Sequence, residues 1–390
     1  MAERPDDVRG EAGGGRRAGL TRSRPPFRAD HVGSLVRARE LVEARAARSR
    51  GELAEEKLRE VQHAAIREVV RRQEEIGLQA VTDGEYNRAS WQTDFVLKIA
   101  NVEPATPRFT IHFHSEKGDT EGRPHTVRVT GKVSRPQPIF VEDFKFLRSI
   151  ARAVPKITLP SPSVLHFRGG REGIDAQAYP ELENFYRDLA QVYREEIADL
   201  AAAGCRYLQL DEVNLAYLCD PVLREDVRKN IGEDPTILPR TYARLINDAL
   251  RGRPSDMTVC LHLCRGNFAG NWMASGGYEP VAEVLFNEIA VDGYLLEYDT
   301  ERAGGFEPLK YVPPGKTVVL GLVTTKRPRL ESREELLRRI EEASRFLPLE
   351  QLCLSPQCGF SSGIAGATMG SEEQFAKLAR IVEVAREVWG

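Results

Sequence analysis

Nowhere does the sequence hold an unbroken apolar run of the roughly 18 residues a membrane-spanning helix needs, so no membrane partner is expected. It has no excess charge of one sign either. Its 55 Lys and Arg against 58 Asp and Glu leave a net charge of −3, which gives no bulk attraction to nucleic acid or an anionic surface. The N-terminus lacks the apolar core of a secretory signal, and a cytoplasmic location is expected. Cysteine is sparse: Cys205, Cys219, Cys260, Cys264, Cys353 and Cys358. In that compartment such thiols are metal ligands or small buried apolar groups rather than disulfide partners.

Residues 1–24 carry Gly and Arg and almost no large apolar side chains, the composition of a flexible, solvated tail. Residues 25–390 alternate short apolar runs with amphipathic stretches. The runs are 28–34, 80–85, 156–162, 206–213, 258–266, 293–299, 317–326 and 351–360. Between them, stretches such as LENFYRDLAQVYREEIADLAAAG repeat apolar residues at helical spacing. Eight strands alternating with helices predict a single α/β unit, a (β/α)8 TIM barrel. Residues 104–138 break the rhythm with polar–apolar alternation around a Gly-containing turn. They predict a β-hairpin inserted between units two and three, with His112, His114 and His125 as surface decoration.

In such a barrel the chemistry gathers at the C-terminal strand ends. His262 and Cys264 end strand five, and their i,i+2 spacing turns both side chains to one face of a strand. By the same parity Cys260 points inward one layer deeper, as core. Glu297 ends strand six and Cys358 follows strand eight. One imidazole, two thiols and a carboxylate suit Zn²⁺. Two thiolates and a carboxylate around the dication leave a formal charge of about −1. An ion so rich in electron density activates water poorly, yet it lowers the pKa of a bound thiol from about 8.5 while leaving the sulfur nucleophilic. That points to thiol alkylation. Acidic residues on the same rim, Glu85 in TDGEYNR and Asp211 in QLDEV, fit a substrate ammonium; Gly33 and Ser34 end strand one. Capping or solvation of strand ends is the plainer role for Ser34 and Asp83.

Taken in order, DHVGSL (30–35), AVTDGEYNR (80–88), LQLDEVNLA (208–216), HLCRGN (262–267), LLEYD (295–299), GLVTTK (321–326) and LSPQCGFSS (354–362) resemble cobalamin-independent methionine synthase, specifically short, single-barrel homologues of its C-terminal catalytic domain. The resemblance implies zinc held by His262, Cys264, Glu297 and Cys358. It implies a homocysteine amino group on Glu85 and Asp211, with its carboxylate on Gly33 and Ser34. The activity implied is methyl transfer to the zinc-bound thiolate of homocysteine, giving methionine. The sequence departs from the full-length enzyme in three places. The 390 residues have no room for a second, folate-holding barrel. Lys326 stands where the family has a strand-seven His, and inherits its proton-handling role. His166, Phe167 and Arg168 stand where a folate-stacking aromatic is expected. The methyl donor is therefore left open between a methylfolate, methylcobalamin on a partner protein and a small methylated compound.

Competing readings keep parts of this picture. A metal-free decarboxylase on a related barrel has no use for two thiols at the rim. Alkyl transfer to another thiol such as coenzyme M would want cations, not the acidic pair, around a sulfonate. A non-catalytic, zinc-stabilised binding protein would close all four ligand positions with protein groups.

Overall fold

A computed structural model describes residues 22–390 apart from 107–110, 116–117, 123–125, 268, 362 and 365–366. Most of the expected tail and His125 therefore lie outside the described residues. The fold is mixed α/β, built around a parallel sheet of seven strands. In sheet order these are β1 (Ala80–Val81), β6 (Val154–Pro160), β7 (Tyr207–Glu212), β8 (Thr258–Leu263), β9 (Gly293–Glu297), β10 (Thr317–Val323) and β11 (Leu352–Pro356). Neighbouring strands follow one another in sequence, with helices such as Leu182–Ala202, Leu238–Ala249 and Arg333–Ser344 between them. Both faces of the sheet are covered, so strands such as TVVLGLV are buried along their whole length. The helices bury one stripe: Leu182–Ala202 turns Phe185, Leu189, Val192, Tyr193, Ile197 and Leu200 inward.

The first expected strand, residues 28–34, is not a ladder strand. Its one bridge is Ala29 to Leu354, flanked by the Asp30 N–H on the Leu354 carbonyl (3.0 Å). At its far end Leu35 N–H reaches the Gly84 carbonyl (3.1 Å), just beyond β1. The segment thus spans from β11 toward β1. Its polar residues replace ladder bonds with side-chain ones. Asp30 accepts from Lys156 Nζ (3.1 Å), Tyr207 Oη (2.7 Å) and the His31 amide (2.8 Å), and Lys156 also donates to the His31 carbonyl (2.6 Å). All seven strands end earlier than the apolar runs suggest. In the clearest case β1 stops at Val81, and Glu85 adopts a positive φ of 61°.

Phe27, Val32, Ala80, Tyr207, Cys260, Leu295, Val319 and Cys353 form a separate buried cluster. Cys260 is packing, as strand parity predicts. Between β1 and β6 the chain forms two antiparallel ladders. β2 (Val102–Ala105) pairs with β5 (Thr126–Val129), and β3 (Ile111–Phe113) pairs with β4 (Thr120–Gly122). A bridge between His114 and Trp272, with amide–carbonyl distances of 2.8 and 3.0 Å, pins this insertion to the loop after β8. His112 and His114 face Glu121 (3.6 Å) and Asp119 (2.9 Å), which accounts for both without a metal.

Candidate metal and thiol site

The C-terminal ends of the sheet surround a cavity of about 560 Å³. His262, Cys264 and Cys358 lie in its wall, each offering a donor atom within 4.8 Å of the others. Register explains the grouping. His262 stands beside Leu295 and Leu263 beside Leu296, so continuing the pairing puts Cys264 abreast of Glu297. Cys358 comes in just beyond the end of β11.

The imidazole is set up as a ligand. His262 Nδ1 faces the Leu295 carbonyl at 3.2 Å, which requires a proton there and leaves the Nε2 lone pair free. Nε2 is buried and has no hydrogen-bond partner. The sulfurs of Cys264 and Cys358 lie 3.3 Å apart as free thiols, and the Gly266 amide points at Cys264 Sγ (3.3 Å). A proton shared between the sulfurs favours one thiolate, and the Cys264 thiol is held well below its ordinary value, with His262 contributing. The same sharing, added to burial, pushes Cys358 up. Burial works against a charged His262, but the Cys264 sulfur, Asp211 and Glu297 outweigh it and raise its pKa. One buried and one half-buried free thiol with an imidazole whose lone pair is free form a donor set that fits a thiophilic divalent cation.

Glu297 is not within that three-residue group. Its carboxylate accepts from the Arg265 amide (2.8 Å) and Arg302 Nη2 (3.0 Å), and Lys326 Nζ lies 3.9 Å away. Burial alone would raise its pKa, but Lys326, Arg302 and the Arg265 amide prevail and hold it well below the ordinary carboxylate range. Lys326 itself does not border the cavity. Its Nζ lies 3.9 Å from Glu297 and 3.5 Å from Asp299, and makes no hydrogen bond among the described residues. Arg302 was not legible as part of the site; its one signal is the spacing from Asp299, which it also binds (3.1 Å).

The acidic residues do border the cavity. Glu85 is buried. Its Oε1 accepts from Thr158 Oγ1 (2.9 Å) and lies 3.6 Å from Arg88, while Oε2 has no partner. Asp211 accepts from Gln209 (2.6 Å), and burial pushes its pKa up to about 7. Ser34 also lines the cavity; Gly33 sits behind it. The Gly33 carbonyl accepts from Thr82 Oγ1 (2.6 Å), and its φ of 129° is one that glycine tolerates best. A Cβ there would lie 2.8 Å from Thr158 Cγ2. Ser34 is packed as tightly, since a Cβ on Gly359 would fall 1.9 Å from its Oγ. Glu212, by contrast, binds Ser163 Oγ (2.6 Å) and the Asn214 amide (2.8 Å), and caps the following turn.

Residues 27–387 match the family model described as "Cobalamin-independent synthase, Catalytic domain". The chain belongs to this family. Its relatives include the protein YxjH of Bacillus subtilis (strain 168), 44% identical over 93% of this chain and 95% of that one. A methionine synthase of Pyrococcus abyssi (strain GE5 / Orsay) is 25% identical over 84% of each chain. Among solved structures, a putative vitamin-B12 independent methionine synthase from Listeria monocytogenes superposes with a TM-score of 0.75 at 36% identity, covering 95% of this chain and all of the other. A B12-independent methionine synthase from Shewanella sp. W3-18-1 shares the fold at 22% identity and a TM-score of 0.66.

Proposed function

We propose that this family member is a zinc-dependent S-methyltransferase acting on homocysteine, on a (β/α)8 barrel completed by the segment 28–35. The observation that carries the reading is the group His262, Cys264 and Cys358 opening onto the same cavity as Glu85 and Asp211. The first three residues would hold the ion. Glu297, abreast of Cys264, is the fourth donor of the reading, and Arg302 on its carboxylate is the kind of hydrogen bond that would orient a ligand. Bound zinc would supply a lowered thiol pKa, so that a substrate sulfur is a thiolate at neutral pH.

The chain's own residues do the rest. Glu85 Oε2, buried without a donor among the described residues, and Asp211, kept easy to protonate by burial, would form the seat, with Arg88 3.6 Å from the other Glu85 oxygen. A substrate ammonium would satisfy the first and return the second to its charged form. Ser34 Oγ, on the same wall, would take the carboxylate together with the Gly33–Ser34 backbone. Lys326 and Arg302 would balance the charge of Glu297 and hold its orientation, and Lys326 is the group available to move a proton there. The described residues include no helix long and apolar enough to cross a membrane, and the N-terminal stretch 1–24 is read as a tail outside the catalytic unit.

Metal analysis of the purified chain tests the reading. It should give about one zinc per chain, bound largely through sulfur, and homocysteine should add a further sulfur to the zinc shell seen by X-ray absorption. Undiminished zinc in Cys358→Ser, or a shell unchanged by homocysteine, would sink it; the latter result would favour a structural, non-catalytic zinc.

A further inference from the structure

The cavity has one charged group that the thiol half of the reaction does not use. Beyond the metal and acidic residues, its lining is largely apolar, with Trp91 from the loop after β1, Phe113 from the insertion, Tyr217, Met273 and Ile364 beside the polar Ser90, Gln92 and Thr93. Among the described residues of that lining, Arg168 is the one arginine or lysine.

Arg168 follows the helical turn Val164–Phe167 at the end of β6. His166, fully buried, is gripped by Tyr242 Oη (2.9 Å) and Glu233 (3.4 Å). Phe167 packs against Tyr217 and Tyr242, with ring centroids 5.9 and 6.4 Å apart. At Gly170 a Cβ would lie 2.7 Å from the Ile231 carbonyl oxygen, so the turn passes close to that backbone with no room for a side chain. These contacts hold the turn from which the guanidinium extends.

Yet the guanidinium forms no hydrogen bond or ion pair among the described residues, and its Nε is shut from solvent without an acceptor. It also borders an adjoining cavity of about 470 Å³, which contains Arg128 and Glu172, so it stands at the neck between the two. Arg128 is paired with Glu103 at 3.2 Å. Within the main cavity the acidic groups, Glu85 and Asp211, belong to the thiol end. A guanidinium against apolar walls recognises a planar or tetrahedral anion, and leaving it unpaired there is costly.

We propose that Arg168 is the anion-recognising residue for the methyl donor. The donor carries a carboxylate or phosphate that rests on Arg168, and its apolar, methyl-bearing body lies against Trp91, Phe113 and Met273. This rests on the thiol-methylation reading. In the transfer, the thiolate lone pair forms the S–CH3 bond, and the donor–CH3 bond breaks with its pair staying on the donor, which takes up a proton.

The test is calorimetric titration of the full, zinc-loaded chain saturated with homocysteine, so that the acceptor seat is filled. The probes are benzoate, phenyl phosphate and uncharged benzamide. Wild type should prefer one anion over benzamide, and that preference names the donor's charged group. Arg168→Met should weaken the preferred anion at least tenfold and leave benzamide unchanged, while Arg168→Lys should retain part of the preference. Equal binding of anions and benzamide by wild type, or anion binding indifferent to Arg168→Met, overturns the proposal. So does a variant that loses only homocysteine, because Arg168 would then serve the acceptor's carboxylate. Zinc content and homocysteine binding, measured on the same samples, report separately on the thiol half. If those fail while the anion effect persists, the methylation reading falls and the anion subsite stands.

Discussion

The segment 27–35 carries Ser34 to the cavity with one ladder bridge and isolated backbone hydrogen bonds such as Leu35 N–H to Gly84 and Phe360 N–H to Ser34, and a buried ion pair adds to its anchoring. Lys156 and Asp30 are both wholly inaccessible to solvent, 3.1 Å apart, and Lys156 also donates to the His31 carbonyl at 2.6 Å. Lys156→Met keeps the length and removes the charge. It leaves a buried carboxylate with Tyr207 and two backbone amides as its remaining donors. Removing one partner of a buried pair costs about 3–5 kcal/mol. With an unfolding entropy near 2.1 cal/mol/K per residue, a chain of this length changes by roughly 0.8 kcal/mol per kelvin. The expected fall in Tm is therefore about 4–6 °C by differential scanning calorimetry. Adding Asp30→Asn removes the stranded charge and should restore at least half of the loss. A Lys156→Met protein melting within about 1 °C of wild type, or a double variant no better than the single one, would refute the claim that this pair anchors the segment.

Two further outcomes follow from His31 in this segment and from Glu85 at the cavity. His31, buried beside Lys156, has its pKa pushed down to about 4, first by burial and then by that cation. The folded state therefore favours the neutral ring. Its contribution is fully present above the unfolded pKa near 6.5 and is lost as pH falls toward 4, by on the order of 3 kcal/mol. Urea unfolding across that window should show the loss, and His31→Gln should flatten it; an unchanged slope would remove His31 as the cause. Glu85→Gln keeps the acceptor facing Thr158 and removes the charge offered to an ammonium. A hydrogen bond to a charged group contributes about 1.5–3 kcal/mol, so homocysteine should bind roughly 10- to 100-fold more weakly at constant zinc content. Equal binding by calorimetry would dismiss Glu85 as the amine seat.

Local rules carried much of this protein. Apolar runs separated by amphipathic stretches are a property of neighbours in sequence, which is why all seven sheet strands fall within or beside predicted runs. Strand parity is local as well: it puts Cys260, His262 and Cys264 on one face, and depth along the strand leaves Cys260 in the core and the other two at the rim. Glu85 and Asp211 were visible as charges interrupting apolar runs. What sequence could not decide depends on groups far apart along the chain. The segment 28–34 reads as a strand, but Asp30 finds Lys156 and Tyr207 across the fold, and side-chain bonds displace the ladder. Glu297 reads as a ligand, while its carboxylate in the structure rests on Arg302 and the Arg265 amide. Lys326 reads as a rim residue and does not border the cavity. Phe113 and Arg168 come from different excursions and meet at one cavity because the insertion is tied to Trp272 and the turn after β6 is packed on His166. Residue type and spacing determined which groups could do chemistry; tertiary packing decided which of them share a cavity, because burial and charge pairing act between residues that the chain order keeps apart.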